Sequence, residues 1–193
     1  MNYFSETEKI LSESLNSIDG KQVEKLIEHC DQTLSNGKKI IVSGLGKNVP
    51  ICEKFVGTMI SLGMEAYYLN TNSAIHGDMG IARDGDLVII LTKSGETAES
   101  LYLVDKLKNR DVDMWLITFV EDSTLTREIP NSIVIKLSHE GDMWNIVPNN
   151  STTLNLIVLQ TVAINLAQKR NISIDEFKRN HPGGNIGRVL GGR

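Results

Sequence analysis

The feature that most constrains the fold of this 193-residue chain is the alternation of short, continuous apolar runs with segments of helical spacing. "KKIIVSG", "EAYYLN", "DLVIILTKSG", "DMWLITFV" and "SIVIKL" read in chain order as five strands. They are apolar runs rather than apolar–polar alternations, which suits strands covered on both faces. Ile10, Leu11, Leu15 and Ile18, then Val23, Leu26, Ile27, Cys30 and Leu34, recur at helical spacing ahead of the first strand, as one broken helix or two consecutive ones. Further helices are expected from about Pro50 to Leu62, from about Thr97 to Asn109, and over "STTLNLIVLQTVAINLAQKR", which is apolar on a wide face. The predicted fold is therefore α/β, a parallel sheet of about five strands with helices on both faces. Ligands of such sheets bind at the carboxyl ends of the strands, so the residues after each strand are the ones to read for chemistry.

There is no internal repeat, low-complexity tract or linker, and the length suits one core. Residues 1–36 are expected to be helices packing on that core, and 37–193 to form the domain. A net charge of -4 gives no electrostatic reason to expect nucleic acid. The acidic N-terminus lacks the basic and apolar regions of a signal peptide, and no apolar run approaches the roughly 18 residues of a membrane span, so a cytoplasmic protein without membrane partners is expected. Cys30 and Cys52 read as buried small hydrophobes; Cys52, near a helix start, could also favour a thiolate.

After the first strand, Ser43-Gly44-Leu45-Gly46-Lys47-Asn48 combines glycines, a helix start and a cation. After the third, Thr92, Ser94 and Thr97 place hydroxyls around Gly95, with Glu96 and Glu99 nearby. Two hydroxyl-rich glycine turns could cradle a phosphate, although the same residues are ordinary in strand-to-helix turns. His76 lies in the connection between the second and third strands. The connection after the last strand is long, with Glu140 near its beginning and Ser151, Thr152 and Thr153 at the head of the long helix. "NHPGGNIGR", 180–188, constrains the backbone around His181 more than a frayed terminus needs. No P-loop or nucleophile-elbow spacing is present, and neither His76-Gly77-Asp78 nor His139-Glu140 has a third ligand beside it, so no metal or other cofactor is expected.

Taken together, "GLGKN", "AIHGDMG", "LTKSGETAES", Glu140 before "NNSTT" and "HPGGNIGR" resemble the sugar isomerase (SIS) domain of the D-arabinose 5-phosphate isomerases of the KpsF/GutQ type, over roughly residues 38–190. The resemblance implies a three-layer α/β/α sandwich of flavodoxin-like form, a homotetramer, and a terminal histidine reaching into a neighbouring subunit's site. It implies catalytic roles for Lys47, Glu99, Glu140 and His181. Around a sugar phosphate it places Ser43, Gly44, Asn48, His76, Thr92, Ser94, Gly95, Glu96, Thr97, Ser151 and Thr152. Two stretches depart from the family pattern: Gly46-Lys47-Asn48-Val49, where a serine usually follows the lysine, and Gly141–Pro148, usually small and apolar, which would line the sugar. Many relatives carry paired CBS modules after the histidine motif, and a chain ending at Arg193 is expected to lack them.

The implied reaction interconverts D-arabinose 5-phosphate and D-ribulose 5-phosphate through an enediol. Glu140 would be the base, with a pKa raised by partial burial, and His181 would move protons near neutral pH. Another pentose or hexose phosphate would suit the same residues. A sugar-phosphate sensor is the alternative class, although the short acidic N-terminus leaves no room for a DNA-binding segment.

Overall fold

The computed structural model describes residues 3–191. Five strands, β1 (Ile40–Gly44), β2 (Ala66–Tyr68), β3 (Leu87–Leu91), β4 (Asp113–Thr118) and β5 (Ser132–Val134), form one sheet in the order β2-β1-β3-β4-β5. Every neighbouring pair is parallel, and β1 and β3 run in register at the centre from Ile40 opposite Leu87 to Gly44 opposite Leu91. The expected parallel α/β sheet is present, and the alternation of side chains along each strand divides the core into two layers. Ile40, Val42, Ile89, Trp115 and Ile117 pack with helices α1 (Tyr3–Asn16), α2 (Gly20–Ser35), α3 (Val49–Ser61) and α7 (Asn150–Lys169) on one face. Ile41, Val88, Ile90 and Leu116 pack with α4 (Thr71–Ala74), α5 (Ala98–Leu107) and α6 (Thr124–Glu128) on the other.

Local chemistry sets the boundaries. The N-terminal segment is two helices, and Asp19 opens the second by accepting from Lys21 N at 2.9 Å. Pro50 stands in the first turn of α3, where its missing N–H costs nothing. "EAYYLN" pairs only over Ala66–Tyr68, because Asn70 turns to cap α4 through the amides of Asn72 and Ser73. At the amino end of the sheet a buried ion pair, Lys39 Nζ to Asp86 Oδ2 at 2.7 Å, ties the start of β1 to the start of β3.

After α7 the chain forms α8 (Ile174–Asn180), opened by a capping box between Ser173 and Glu176, and α9 (Gly184–Gly191). His181 is the residue that ends α8. Among the described residues no helix is long and apolar enough to cross a membrane.

Candidate active site

The chain leaves β1 towards α3 on one face of the sheet and leaves β3 towards α5 on the other, so the carboxyl ends of these adjacent central strands form the switch point of the topology. A cleft of about 560 Å³ opens there, between the loops after β1 and β3 and the head of α7. Lys47 and Asn48 line it from a single 3-10 turn, Gly46–Asn48. Thr92, Lys93 and Thr97 line it from the loop after β3, and Ser151, Thr152 and Asn155 from α7. Thr97 stands at the N-cap of α5 without using its hydroxyl to cap it. Two helix N-termini, hydroxyls and two lysines thus face one space, which is the chemistry an anion such as a phosphate requires.

Glu140 sits behind this surface, fully buried. Its Oε2 accepts from Asn149 N at 3.0 Å and Ser151 N at 2.9 Å, so the carboxylate caps α7 in place of Asn149, whose side chain makes no capping bond. Lys93 Nζ lies 2.6 Å from Oε1 as an ion pair. The segment carrying Glu140 is folded tightly on itself. Asn145 Oδ1 accepts from Glu140 N, and Asp142 accepts from the amides of Trp144, Ile146 and Val147.

This geometry corrects the expectation that burial raises the Glu140 pKa. Burial is the largest influence and does push the carboxyl up, but the Lys93 ammonium and the amides of Ser151 and Asn149 together outweigh it and hold the group below the ordinary carboxylate range. The thiolate reading of Cys52 is also corrected: the residue is fully buried in α3, and burial pushes its thiol up to about 12. Burial raises Cys30 as well.

The remaining residues singled out in the sequence are placed as follows. Ser43 is buried under the loop, its hydroxyl donating to Leu69 O at 2.8 Å and 3.0 Å from Thr71 Oγ1. A Cβ on Gly44 would come within 2.8 Å of Asn48 Cβ, so this glycine allows α3 to start close to β1. Thr92 Oγ1 and Ser94 Oγ accept from Gly95 N and Glu96 N and so build the turn itself. Gly95 has φ +68°, and a Cβ there would collide with Ser123 Oγ. Glu96 is exposed and accepts from Thr124 N at 2.7 Å. Glu99 lines a separate shallow depression with Tyr102, Ile75 and Asn72, and His76 is exposed in the neighbouring turn.

His181 stacks on Phe177 with ring centroids 4.0 Å apart, and its Nδ1 is 2.8 Å from Phe177 O. The adjacent Asn180 donates to Ser61 O, at the far end of α3. Within one chain His181 is therefore separated from the cleft by roughly the length of α3, whose 13 residues span about 20 Å.

Two cleft residues escaped the sequence reading. Lys93 lies between Thr92 and Ser94, whose hydroxyls drew attention instead. Asn155, 1% exposed, stands one turn after Ser151 on the same face of α7; its Nδ2 donates to Asn48 Oδ1 at 2.9 Å while its own Oδ1 has no partner. A buried asparagine at that spacing from Ser151 was the available signal. The pair also accounts for asparagine at position 48, which supplies the acceptor for Asn155. Among the described residues no group of three or more His, Cys, Asp or Glu side chains is placed to hold a metal ion.

Comparison with known proteins places this geometry. The SIS domain family matches residues 33–167. The chain is 33% identical over 180 residues to arabinose 5-phosphate isomerase KpsF of Escherichia coli, covering 93% of this chain and 55% of that protein. It is 30% identical over 161 residues to arabinose 5-phosphate isomerase KdsD of Salmonella typhi, covering 83% and 49%. The chain thus spans about half the length of the curated relatives it matches. Among solved structures, an E. coli CFT073 protein in complex with arabinose 5-phosphate superposes with a TM-score of 0.86 at 27% identity, covering 93% of this chain and 94% of that one. The Vibrio vulnificus NanR protein complexed with ManNAc-6P, 16% identical with a TM-score of 0.71 over 92% of this chain and 64% of that one, shares the fold alone. The family match takes in all five strands, both central loops and the head of α7 that together build the cleft, and the chain belongs to the SIS domain family.

Proposed function

We infer that the chain is an aldose–ketose isomerase acting on a sugar phosphate, with D-arabinose 5-phosphate and D-ribulose 5-phosphate as the pair. The observation that carries this reading is the fully buried Glu140 carboxylate, fixed at the head of α7 beside an anion-suited cleft. Similarity to KpsF and KdsD and to a structure holding arabinose 5-phosphate supports the choice of substrate.

The phosphate would sit against Lys47, Thr97 and the hydroxyl of Ser151, which brings the open-chain carbonyl end towards Glu140, while Thr152 donates its own hydroxyl proton to Asn149 O at 2.8 Å. Glu140 takes the proton from C2 of the aldose. The C2–H electron pair becomes the C1–C2 double bond of an enediolate, and the carbonyl electrons move onto O1. Return of the proton to C1, with transfer of the O2 proton to O1, gives the ketose. The partnerless Asn155 Oδ1 is an acceptor for a sugar hydroxyl.

His181 enters this scheme from a second copy of the chain, because its own chain holds it beside the far end of α3. A homotetramer supplies that copy, and Glu99 and His76, outside the cleft in one chain, belong to the same shared site.

Glu140→Gln tests the assignment: turnover is lost while D-arabinose 5-phosphate still binds. The capping role of Glu140 favours a second reading, a sugar-phosphate sensor in which the carboxylate is structural; a wild-type protein that binds D-arabinose 5-phosphate without isomerising it would support that reading.

A further inference from the structure

Lys93 is a cleft residue whose position between the anion-binding loop and the buried carboxylate gives it two alternative partners. We propose that Lys93 is a second anion-binding residue and the catch on Glu140: the phosphate end of the substrate draws the ammonium away from Oε1 and leaves the carboxylate free to accept a proton. The binding half stands on the cleft geometry alone, and the catalytic half rests on the isomerase reading.

The lysine backbone is pinned, since Lys93 O accepts from Thr118 Oγ1 and from Phe119 N, both at 3.2 Å. Only the side chain can move, and it is free to do so, being 45% exposed. Its hold on Glu140 is close, 2.6 Å, and a phosphate oxygen in the cleft offers the ammonium a partner of the same kind. Glu140 does not move with it, because Oε2 stays bonded to the amides of Asn149 and Ser151.

The electrostatic consequence follows from position. With Lys93 in place, Oε2 is bonded to two amides and Oε1 faces a cation at 2.6 Å, so the group is a poor base. With Lys93 on the phosphate, the carboxylate stays buried and loses its nearest counter-charge, so burial raises its proton affinity. The other charged or titratable groups around it leave that balance intact. Lys47 lines the same cleft, where the phosphate would neutralise it. His139 Nδ1 accepts from Gly141 N, and Asp142 is occupied by three amides. Substrate binding and activation of the base thereby become one event, and an empty cleft holds an inactive base.

The test is a carboxyl 13C NMR titration of Glu140 in the full chain labelled at glutamate, assigned with Glu140→Gln, without ligand and then with saturating D-arabinose 5-phosphate or inorganic phosphate. The proposal expects the Glu140 midpoint to rise by at least about one pH unit with either ligand. It expects Lys93→Met to show the raised midpoint without ligand and to bind the sugar phosphate about tenfold more weakly, with Lys93→Arg restoring the ligand-dependent shift. A midpoint unchanged by ligand, or a Lys93→Met titration identical to wild type, overturns it. A ligand-induced shift without isomerisation would retain the catch and reject the isomerase; isomerisation without the shift would do the reverse.

Discussion

Replacing Glu140 by alanine should destabilise the domain by about 3 kcal/mol, and by glutamine about 1 kcal/mol. The wild-type carboxylate accepts two charge-assisted bonds, from Asn149 N at 3.0 Å and Ser151 N at 2.9 Å, in a site closed to solvent. Bonds to a charged acceptor are worth about 1.5–3 kcal/mol each, and alanine removes both, although cleft water can re-solvate part of what is exposed. Lys93 adds little to the loss because its side chain, 45% exposed, returns to water when its partner is removed. Glutamine keeps the volume and one acceptor oxygen and loses chiefly the charge. Urea unfolding followed by the fluorescence of the fully buried Trp115 measures both variants. The pH dependence has a fixed sign. The folded carboxyl is held below its ordinary value, so its contribution is complete above the unfolded pKa of about 4.3 and disappears as pH falls through the folded one. The gap between wild type and Glu140→Gln should therefore close on acidification below about pH 4. An alanine variant within about 0.5 kcal/mol of wild type would refute the capping argument.

Asp86→Asn should cost about 3 kcal/mol in the same assay, because it leaves the mostly buried Lys39 ammonium without its partner between β1 and β3; an unchanged midpoint would contradict this. Cys30 and Cys52 should resist iodoacetamide at pH 8 in the native protein and react on unfolding, since both are fully buried and Cys52 is pushed up to about 12; rapid native labelling would show that the helices open more readily than this packing allows. Mixing the separately inactive Glu140→Gln and His181→Ala variants under subunit exchange should restore part of the turnover, because mixed assemblies regain some intact sites; no recovery would contradict a site shared between copies.

The layers and the cleft were legible in the sequence because continuous apolar strand runs admit few arrangements, and because ligands of parallel sheets gather at the strand ends. Lys47, Thr97, Ser151 and Thr152 stand in the cleft as the position of their motifs after the strands implied. Hydrogen-bond assignment was less legible. Ser43 and Thr92 carry the residue type of ligand hydroxyls, but Ser43 bonds the chain at Leu69 and Thr92 closes the turn at Gly95. Glu140 was legible as a carboxylate in the right place and illegible in its protonation, which depends on a lysine 47 positions earlier that only the fold brings to 2.6 Å. Short helices such as α4 and α6 lie within connections read as loops, since Asn70 and Ser123 are equally good turn and cap residues. The segment around His181 read as a device for holding that side chain. It is the end of α8, and its distance from the cleft is a tertiary fact with no local signature.

The most direct test of the account is a time course of the purified protein with D-arabinose 5-phosphate and with D-ribulose 5-phosphate in deuterated water, followed by NMR. The account predicts interconversion, with deuterium appearing at C1 of the ketose and C2 of the aldose and both processes lost in Glu140→Gln. A protein that binds the sugar phosphate but neither interconverts the pair nor exchanges a carbon-bound proton would contradict it.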